Sequence, residues 1–331
     1  MATTVNNAFA EFLKDTVRLD PERNKIAKSS KGWLIDEIKK FPADGKFPAL
    51  HPDVFIEYGS YSRKTKIRPL DDIDIMIIMH AQGATYNENL SHLTVTKSAQ
   101  ANQFDSLCFD NSSFLNSIKV VNKFKDYLGD VPQYKKAEIK RNQEAAVLEL
   151  QSYEWKYDIV PCFITNPEWN GRTYYLIPDG NGNWKKTDPR IDHQNVLTID
   201  SSKSVSVLDV IRLMKYWNGR PTMPSAKSYL LENIVLNYFK SIPQASYVDL
   251  EVRDCLIYIA NAILNGVDDP KGIQGDLNHL TNEERMKIRE RAYNDHVKAA
   301  AARTFEQNGD MKNAIGKWRE IFGDAFPNYT S

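Results

Sequence analysis

GSYSRKTKIRPLDDIDIMIIM, residues 59–79, decides how this chain is read. A Gly59-Ser60 turn leads, across a basic stretch, to Asp72-Ile73-Asp74 at the mouth of an apolar strand, Ile75-Met76-Ile77-Ile78-Met79. Side chains alternate faces along a strand, so Asp72 and Asp74 point the same way, roughly 6.6 Å apart along the backbone. Two carboxylates on one edge can hold a pair of divalent cations, and ions about 4 Å apart are the usual device for nucleotidyl transfer. Gly59 permits a tight turn and a close backbone approach to a ligand. Ser60 adds a hydroxyl and a backbone N–H for a phosphate oxygen. Asp-x-Asp alone is most often a solvated turn or a cap. At the mouth of a buried strand the carboxylates are costly unless something pairs with them.

A third carboxylate is at hand. Asp158 stands in Tyr157-Asp158-Ile159-Val160-Pro161, a strand that follows the alternating strand Val147-Leu148-Glu149-Leu150 across a short polar turn. Two antiparallel strands there could carry Asp158 beside the first pair. In nucleotidyl transfer a third Asp binds the catalytic ion and helps deprotonate the attacking hydroxyl. Taken by itself, Asp158 reads equally well as an edge-strand residue before a proline.

Composition bounds the rest. The chain has 331 residues, enough for two domains or one large two-lobed unit. Forty-three basic residues balance forty-three acidic ones, which argues against a dominant nonspecific nucleic-acid surface and leaves a local basic cleft open. The densest basic cluster, Lys135, Lys136, Lys140 and Arg141, is interrupted by Glu138 and reads as a solvated face. Cys108, Cys162 and Cys255 are far apart and form no Cys-x-x-Cys, which argues against a zinc ribbon, and reduced thiols in the cytoplasm are expected. The start carries no basic and apolar leader, and the longest apolar run is Ile75 to Met79, too short to span a bilayer. Six scattered histidines form no ligand spacing; neither Gly-x-Ser-x-Gly nor a Walker loop occurs.

Helical spacing of Phe9, Phe12, Leu13 and Val17 predicts a helix over 8–19, and Asp20-Pro21 opens a second. A strand from Val54 to Tyr58 leads into the Gly-Ser turn, and a helix follows Ser113. Residues 164–200 read as a long polar connection. The last third reads as helical, with apolar stripes over 204–217 and from Leu231 to Tyr238, the latter with Ser225 as N-cap. Thr281-Asn282-Glu283-Glu284 is a capping box opening a long helix to about Phe305, and a short helix covers Ala314 to Ile321. Lys215 sits late in its helix, where it could reach into a cleft between lobes. Ser228 lies in a first turn, where N–H groups are free and the dipole favours anions. A helix-surface Lys is usually solvated, however, and an early-turn Ser usually caps. Arg63, Lys64 and Thr65, between turn and strand, could assist in positioning the phosphates; by default they read as solvated loop residues.

Gly59-Ser60, Asp72-x-Asp74 and Asp158 together resemble the polymerase-beta-like nucleotidyltransferase superfamily. Lys215-Tyr216-Trp217, then Ser228-Tyr229-Leu230-Leu231-Glu232, resembles the Lys and Ser-x-x-x-Glu region of bacterial CD-NTases, relatives of cyclic GMP-AMP synthase. Trp318-Arg319-Glu320-Ile321-Phe322-Gly323-Asp324-Ala325-Phe326-Pro327 is similar to their closing motif. The resemblance spans about residue 5 to residue 327. It implies an α+β, two-lobed fold, with a mixed-sheet catalytic lobe over 1–200, a helical lobe over 201–331 and an active-site cleft between them. It implies catalytic, metal-binding Asp72, Asp74 and Asp158, two Mg²⁺ ions with Mn²⁺ as a substitute, and nucleotide binding by Gly59, Ser60, Lys215, Ser228 and Tyr229. Tyr229 would stack on a base or simply pack. Asn166 and Asn170 are candidates for reading the acceptor base, or turn residues near Pro167.

The activity implied is synthesis of a cyclic di- or trinucleotide from NTPs, ATP among them. A monomer in the cytoplasm would release pyrophosphate, and the product would switch on an effector in antiphage defence. No membrane association and no obligatory DNA or RNA activator are expected, since a zinc insertion and a basic character are both absent from the sequence. Two other classes stay open: a template-independent transferase acting on RNA, protein or a small molecule, and an inactive nucleotide-binding module.

Overall fold

The computed structural model describes residues 2–89, 92–221 and 224–331. In chain order come α1 (Val5–Phe12), α2 (Pro21–Ile38), β1 (Leu50–Glu57), the one-turn α3 (Gly59–Ser62), β2 (Asp72–Met79), β3 (Thr85–Glu88) and β4 (Leu93–Thr96). Next are α4 (Ser117–Asp130), β5 (Glu138–Asn142), β6 (Ala145–Glu149), β7 (Lys156–Ile164), β8 (Tyr175–Pro178) and β9 (Trp184–Thr187). The remainder is helical: α5 (Pro189–Ser201), α6 (Val207–Asn218), α7 (Ser228–Ser241), α8 (Val248–Ala262), α9 (Asn282–Gln307) and α10 (Met311–Phe322). Among the described residues no helix is long and apolar enough to cross a membrane. The three cysteines are buried free thiols.

The chain divides into two compact units, neither continuous in sequence. One comprises residues 21–62 and 70–190; the other comprises 1–20, 63–69 and 191–331. These units and the lobes expected from the sequence, 1–200 and 201–331, divide the chain differently.

The first unit is built on a mixed sheet ordered β1-β2-β7-β8-β9-β4-β3, with β6 pairing both β5 and β7. β2 and β7 are parallel and in register from Asp72↔Lys156 to Ile78↔Cys162. β1 runs antiparallel to β2, and β6 antiparallel to β7. The reason for this centre is the near-continuous apolar run of β2, which suits a strand buried on both faces. Ile73, Ile75, Met76, Ile77, Ile78 and Met79 are all buried. Met76 and Ile78 pack with Val147, Val160, Cys162 and Tyr175 on the face that also carries Asp74. The stretch 164–200 is not a polar connection. It contains β8, β9 and α5, which short strands of four residues each and the turn at Asp179–Asn183 hid from view.

The second unit is a helical bundle. Phe9 and Phe12 of α1 pack on Phe322 and Phe326, with Phe9 edge-on to Trp318 at 4.8 Å. The closing motif therefore belongs to the core. α8 went unforeseen although Val252, Cys255, Leu256 and Ile259 bury at helical spacing. Ser225 does not cap α7; its hydroxyl donates to the Asn218 carbonyl, and the helix begins three residues later behind Lys227. The capping box at α9 is formed: Glu284 N–H donates to Thr281 Oγ1 at 3.3 Å and Thr281 N–H to Glu284 Oε2 at 2.8 Å. Thr281→Ala should cost about 1 kcal/mol, read as a fall of roughly 2–4 °C in melting temperature by calorimetry.

Candidate active site

The sheet unit gathers the three aspartates. Parallel register sets Asp74 directly opposite Asp158, and Asp72 lies two residues away on the same face. One carboxylate oxygen from each of Asp72, Asp74 and Asp158 lies within 4.8 Å of the others, and all three residues are half-buried. Three carboxylates this close repel one another strongly unless a cation is shared. The oxygen-only donor set is that of a hard divalent ion. The residues therefore fit Mg²⁺ or Mn²⁺ chemistry. Lys156, at the head of β7, places its Nζ 3.9 Å from Asp158 Oδ2.

Gly59 lies against this cluster. Its φ is +72°, and a β-carbon built there would sit 1.8 Å from Asp74 Oδ2 and 2.6 Å from Asp74 Cγ. The Asp74 side chain thus occupies the space that any other residue at 59 would fill. Tyr58, just before it, was not singled out in the sequence. Burial first, then the nearby Asp74, Glu144 and Asp158, pushes its phenol well above the ordinary range, so it stays a neutral hydroxyl beside the carboxylates. Asn166 and Asn170 lie beyond Ile164, the far end of β7. Six strand steps at about 3.3 Å carry Ile164 roughly 20 Å from Asp158. Asn166 lines a separate cavity of about 750 Å³ with His51, His80 and Tyr86. Asn170 Oδ1 accepts from the Arg172 N–H as a turn residue. Neither is placed to read a base at the aspartates.

The helical unit assembles a second polar group. Lys215 is 7% exposed, so it is not a solvated surface lysine. Its Nζ donates to the Thr65 carbonyl at 3.0 Å. Arg63 and Thr65 are not loop residues in solvent either. Arg63 Nε donates to Glu232 Oε1 at 2.5 Å and Thr65 Oγ1 to Glu232 Oε2 at 2.8 Å, while Lys64 between them is exposed. Ser228 is exposed at the first position of α7, and its N-cap residue, Lys227, offers no side-chain cap to the free N–H groups. Tyr229 points its hydroxyl at Asp192 (2.6 Å) and Asp269 (3.2 Å), and its ring carries Lys271 at 4.3 Å and Arg63 at 5.4 Å. Burial raises the Asp192 carboxyl above its usual range, against the pull of Lys271. Burial also works against ionisation at Asp269, yet the Gln274 N–H and the Lys271 ammonium hold its carboxyl below that range.

No protein-family model matches the chain. Two curated proteins and many solved structures do. The chain is 43% identical over 331 residues to a protein of Bacillus cereus strain VD146 described as a probable cyclic nucleotide synthase, with 99% of each covered. It is 22% identical to a cyclic AMP-AMP-AMP synthase of an Acinetobacter species, covering 99% of this chain and 87% of that one. Its fold matches that of Escherichia coli MS115-1 CdnC, solved with ATP, at a TM-score of 0.71 and 15% identity, over 98% and 99% of the two chains. It also matches that of Vibrio cholerae DncV in its apo form at 0.69 and 13%, over 98% and 97%. Given the identity with the Bacillus cereus protein along the whole length, and an α+β architecture shared with CdnC and DncV, the chain belongs to the cyclic nucleotide synthases, nucleotidyltransferases of the bacterial CD-NTase type.

Proposed function

We propose that the chain joins nucleoside triphosphates, ATP among them, into a cyclic di- or trinucleotide with release of pyrophosphate. The observation that carries this reading is the Asp72, Asp74 and Asp158 cluster on two parallel strands in register. Those residues would hold two Mg²⁺ ions, which when bound neutralise charge on the α-phosphoryl and on the departing pyrophosphate. Asp158 serves the acceptor side, where it orients the attacking 2′- or 3′-hydroxyl and takes its proton onto a carboxylate oxygen. Gly59 and Ser60 offer a phosphate the backbone and hydroxyl donors of a tight turn. Lys215 and Ser228 bind β- and γ-phosphate oxygens, the first as a cation, the second with the free N–H groups that open α7. Tyr229 contributes to nucleotide binding from the same first turn. The product acts as a cytoplasmic signal that activates an effector in antiphage defence. The three buried free thiols suit a reducing compartment.

The test is incubation of nuclease-treated protein with all four NTPs and Mg²⁺, read by mass spectrometry. Cyclic oligonucleotides and pyrophosphate are expected. Elongation of an added RNA, or transfer to a protein or small molecule, would replace this reading with a different transferase; no turnover would leave a binding module. Activity should not require a duplex. Lys135, Lys136, Lys140 and Arg141 are exposed around β5, and Lys140 is already shared with Glu138 and Glu149. A large, salt-sensitive rate increase on adding duplex DNA or RNA would overturn that expectation.

Lys215→Ala should raise the apparent KM for ATP more than Ser228→Ala does. A charge-assisted phosphate contact is worth about 1.5–3 kcal/mol, against about 1 kcal/mol for a neutral hydroxyl. These correspond to roughly 10–150-fold and 5-fold changes. If neither variant changes KM, the triphosphate is held elsewhere.

A further inference from the structure

Glu232 lies on α7 one turn after Ser228 and is 1% exposed. A carboxylate so deeply buried persists only when paired and hydrogen-bonded. Here it is shared. Arg63 Nε and Nη2 donate to its two oxygens at 2.5 and 3.4 Å, Thr65 Oγ1 donates at 2.8 Å, and Lys215 Nζ on α6 stands 4.0 Å away. Lys215 in turn donates to the Thr65 carbonyl. One carboxylate thus faces two cations, Arg63 and Lys215.

The same segment is anchored without Glu232. Arg68 donates to the carbonyls of Asp15 and Arg18 at 2.7 and 3.1 Å, and Arg212 donates to the Lys64 carbonyl at 2.5 Å. Removing the Glu232 charge therefore leaves the 63–69 backbone tied to the bundle and disturbs chiefly the two cations that the carboxylate orients. We propose that Glu232 is a positioning residue for nucleotide binding: it fixes the Lys215 ammonium, and the Arg63 guanidinium beside it, in the orientation that receives the triphosphate. This rests on the assignment of Lys215 as a triphosphate ligand.

The experiment is a double-mutant cycle with Lys215→Ala and Glu232→Gln, reading KM for ATP and kcat separately, with the Kd of a non-hydrolysable ATP analogue by titration calorimetry. Glu232→Gln alone should raise KM and Kd about tenfold and leave kcat within about twofold, and the double variant should stay within about threefold of Lys215→Ala, because one residue acts through the other. Glu232→Asp keeps the charge and shortens the reach by one methylene. It should fold even if the Gln variant does not, and show a smaller KM rise with the same lack of additivity. Multiplied effects in the double variant, or an unchanged KM accompanied only by a lower melting temperature, would overturn the proposal and leave Glu232 a structural residue. If Lys215→Ala itself leaves KM unchanged while product still forms, the triphosphate role of Lys215 fails and this inference falls with it. If Lys215→Ala raises KM and the Glu232 effects multiply, only the inference falls.

Discussion

Asp74→Asn should reduce NTP turnover by about a thousandfold or more while the protein stays folded. Asn keeps the shape of the side chain and removes the charge a divalent cation requires. Losing several kcal/mol of transition-state stabilisation corresponds to a fall of that size. Stability should move the other way. Asp74 lies within 4.8 Å of Asp72 and Asp158, and removing one of three crowded carboxylates relieves repulsion. In metal-free buffer the variant should melt at the same temperature as the parent or above it, the usual relation between a strained site and its scaffold. Pyrophosphate release and calorimetry on the same preparation measure both. Near-normal release from the folded variant would sink the carboxylate-cluster reading. A lower melting temperature without metal would show that the contacts of the Asp74 carboxylate outweigh this repulsion.

The part of this site that could be read from sequence was local. Asp72 and Asp74 share a face because a strand repeats every two residues, and their strand announces itself by its apolar run. The contribution of Asp158 was legible as a residue but not as a geometry. Its antiparallel neighbour β6 is adjacent in sequence, whereas the parallel register with β2 joins residues far apart in the chain and has no local signal. Asn166 and Asn170 show the converse error. They are close to Asp158 in sequence, yet a nine-residue strand carries them to its other end. Arg63 and Thr65 looked like loop residues because their partner, Glu232, comes 169 and 167 positions later. Ser225 looked like a cap because Ser before an apolar stripe usually is one, but the chain runs on to Lys227 before α7 begins. In the helical unit, patterns that closed within a few residues, such as the α9 capping box, were readable. Long-range charge pairing was not.

Gly59→Ala tests the close approach of the turn to Asp74, and Gly45→Ala is its control. Both glycines have positive φ, +72° and +71°. A side chain at either position strains the backbone by roughly 1–2 kcal/mol. Their surroundings differ. A β-carbon at Gly45 meets nothing within 4 Å, while one at Gly59 would overlap Asp74 Oδ2 at 1.8 Å. Asp74 or the turn must move by an ångström or more to admit it. A misplacement of about 1 Å in a catalytic constellation costs on the order of a hundredfold in rate. Gly45→Ala should therefore lose stability and keep its turnover. Gly59→Ala should lose at least as much stability and also about a hundredfold or more in kcat. Melting temperature and initial rate, measured on both variants, separate the two effects. Equal turnover in the two variants would mean that the Asp74 carboxylate can be displaced without consequence, and the reaction would then have to be assigned to other residues.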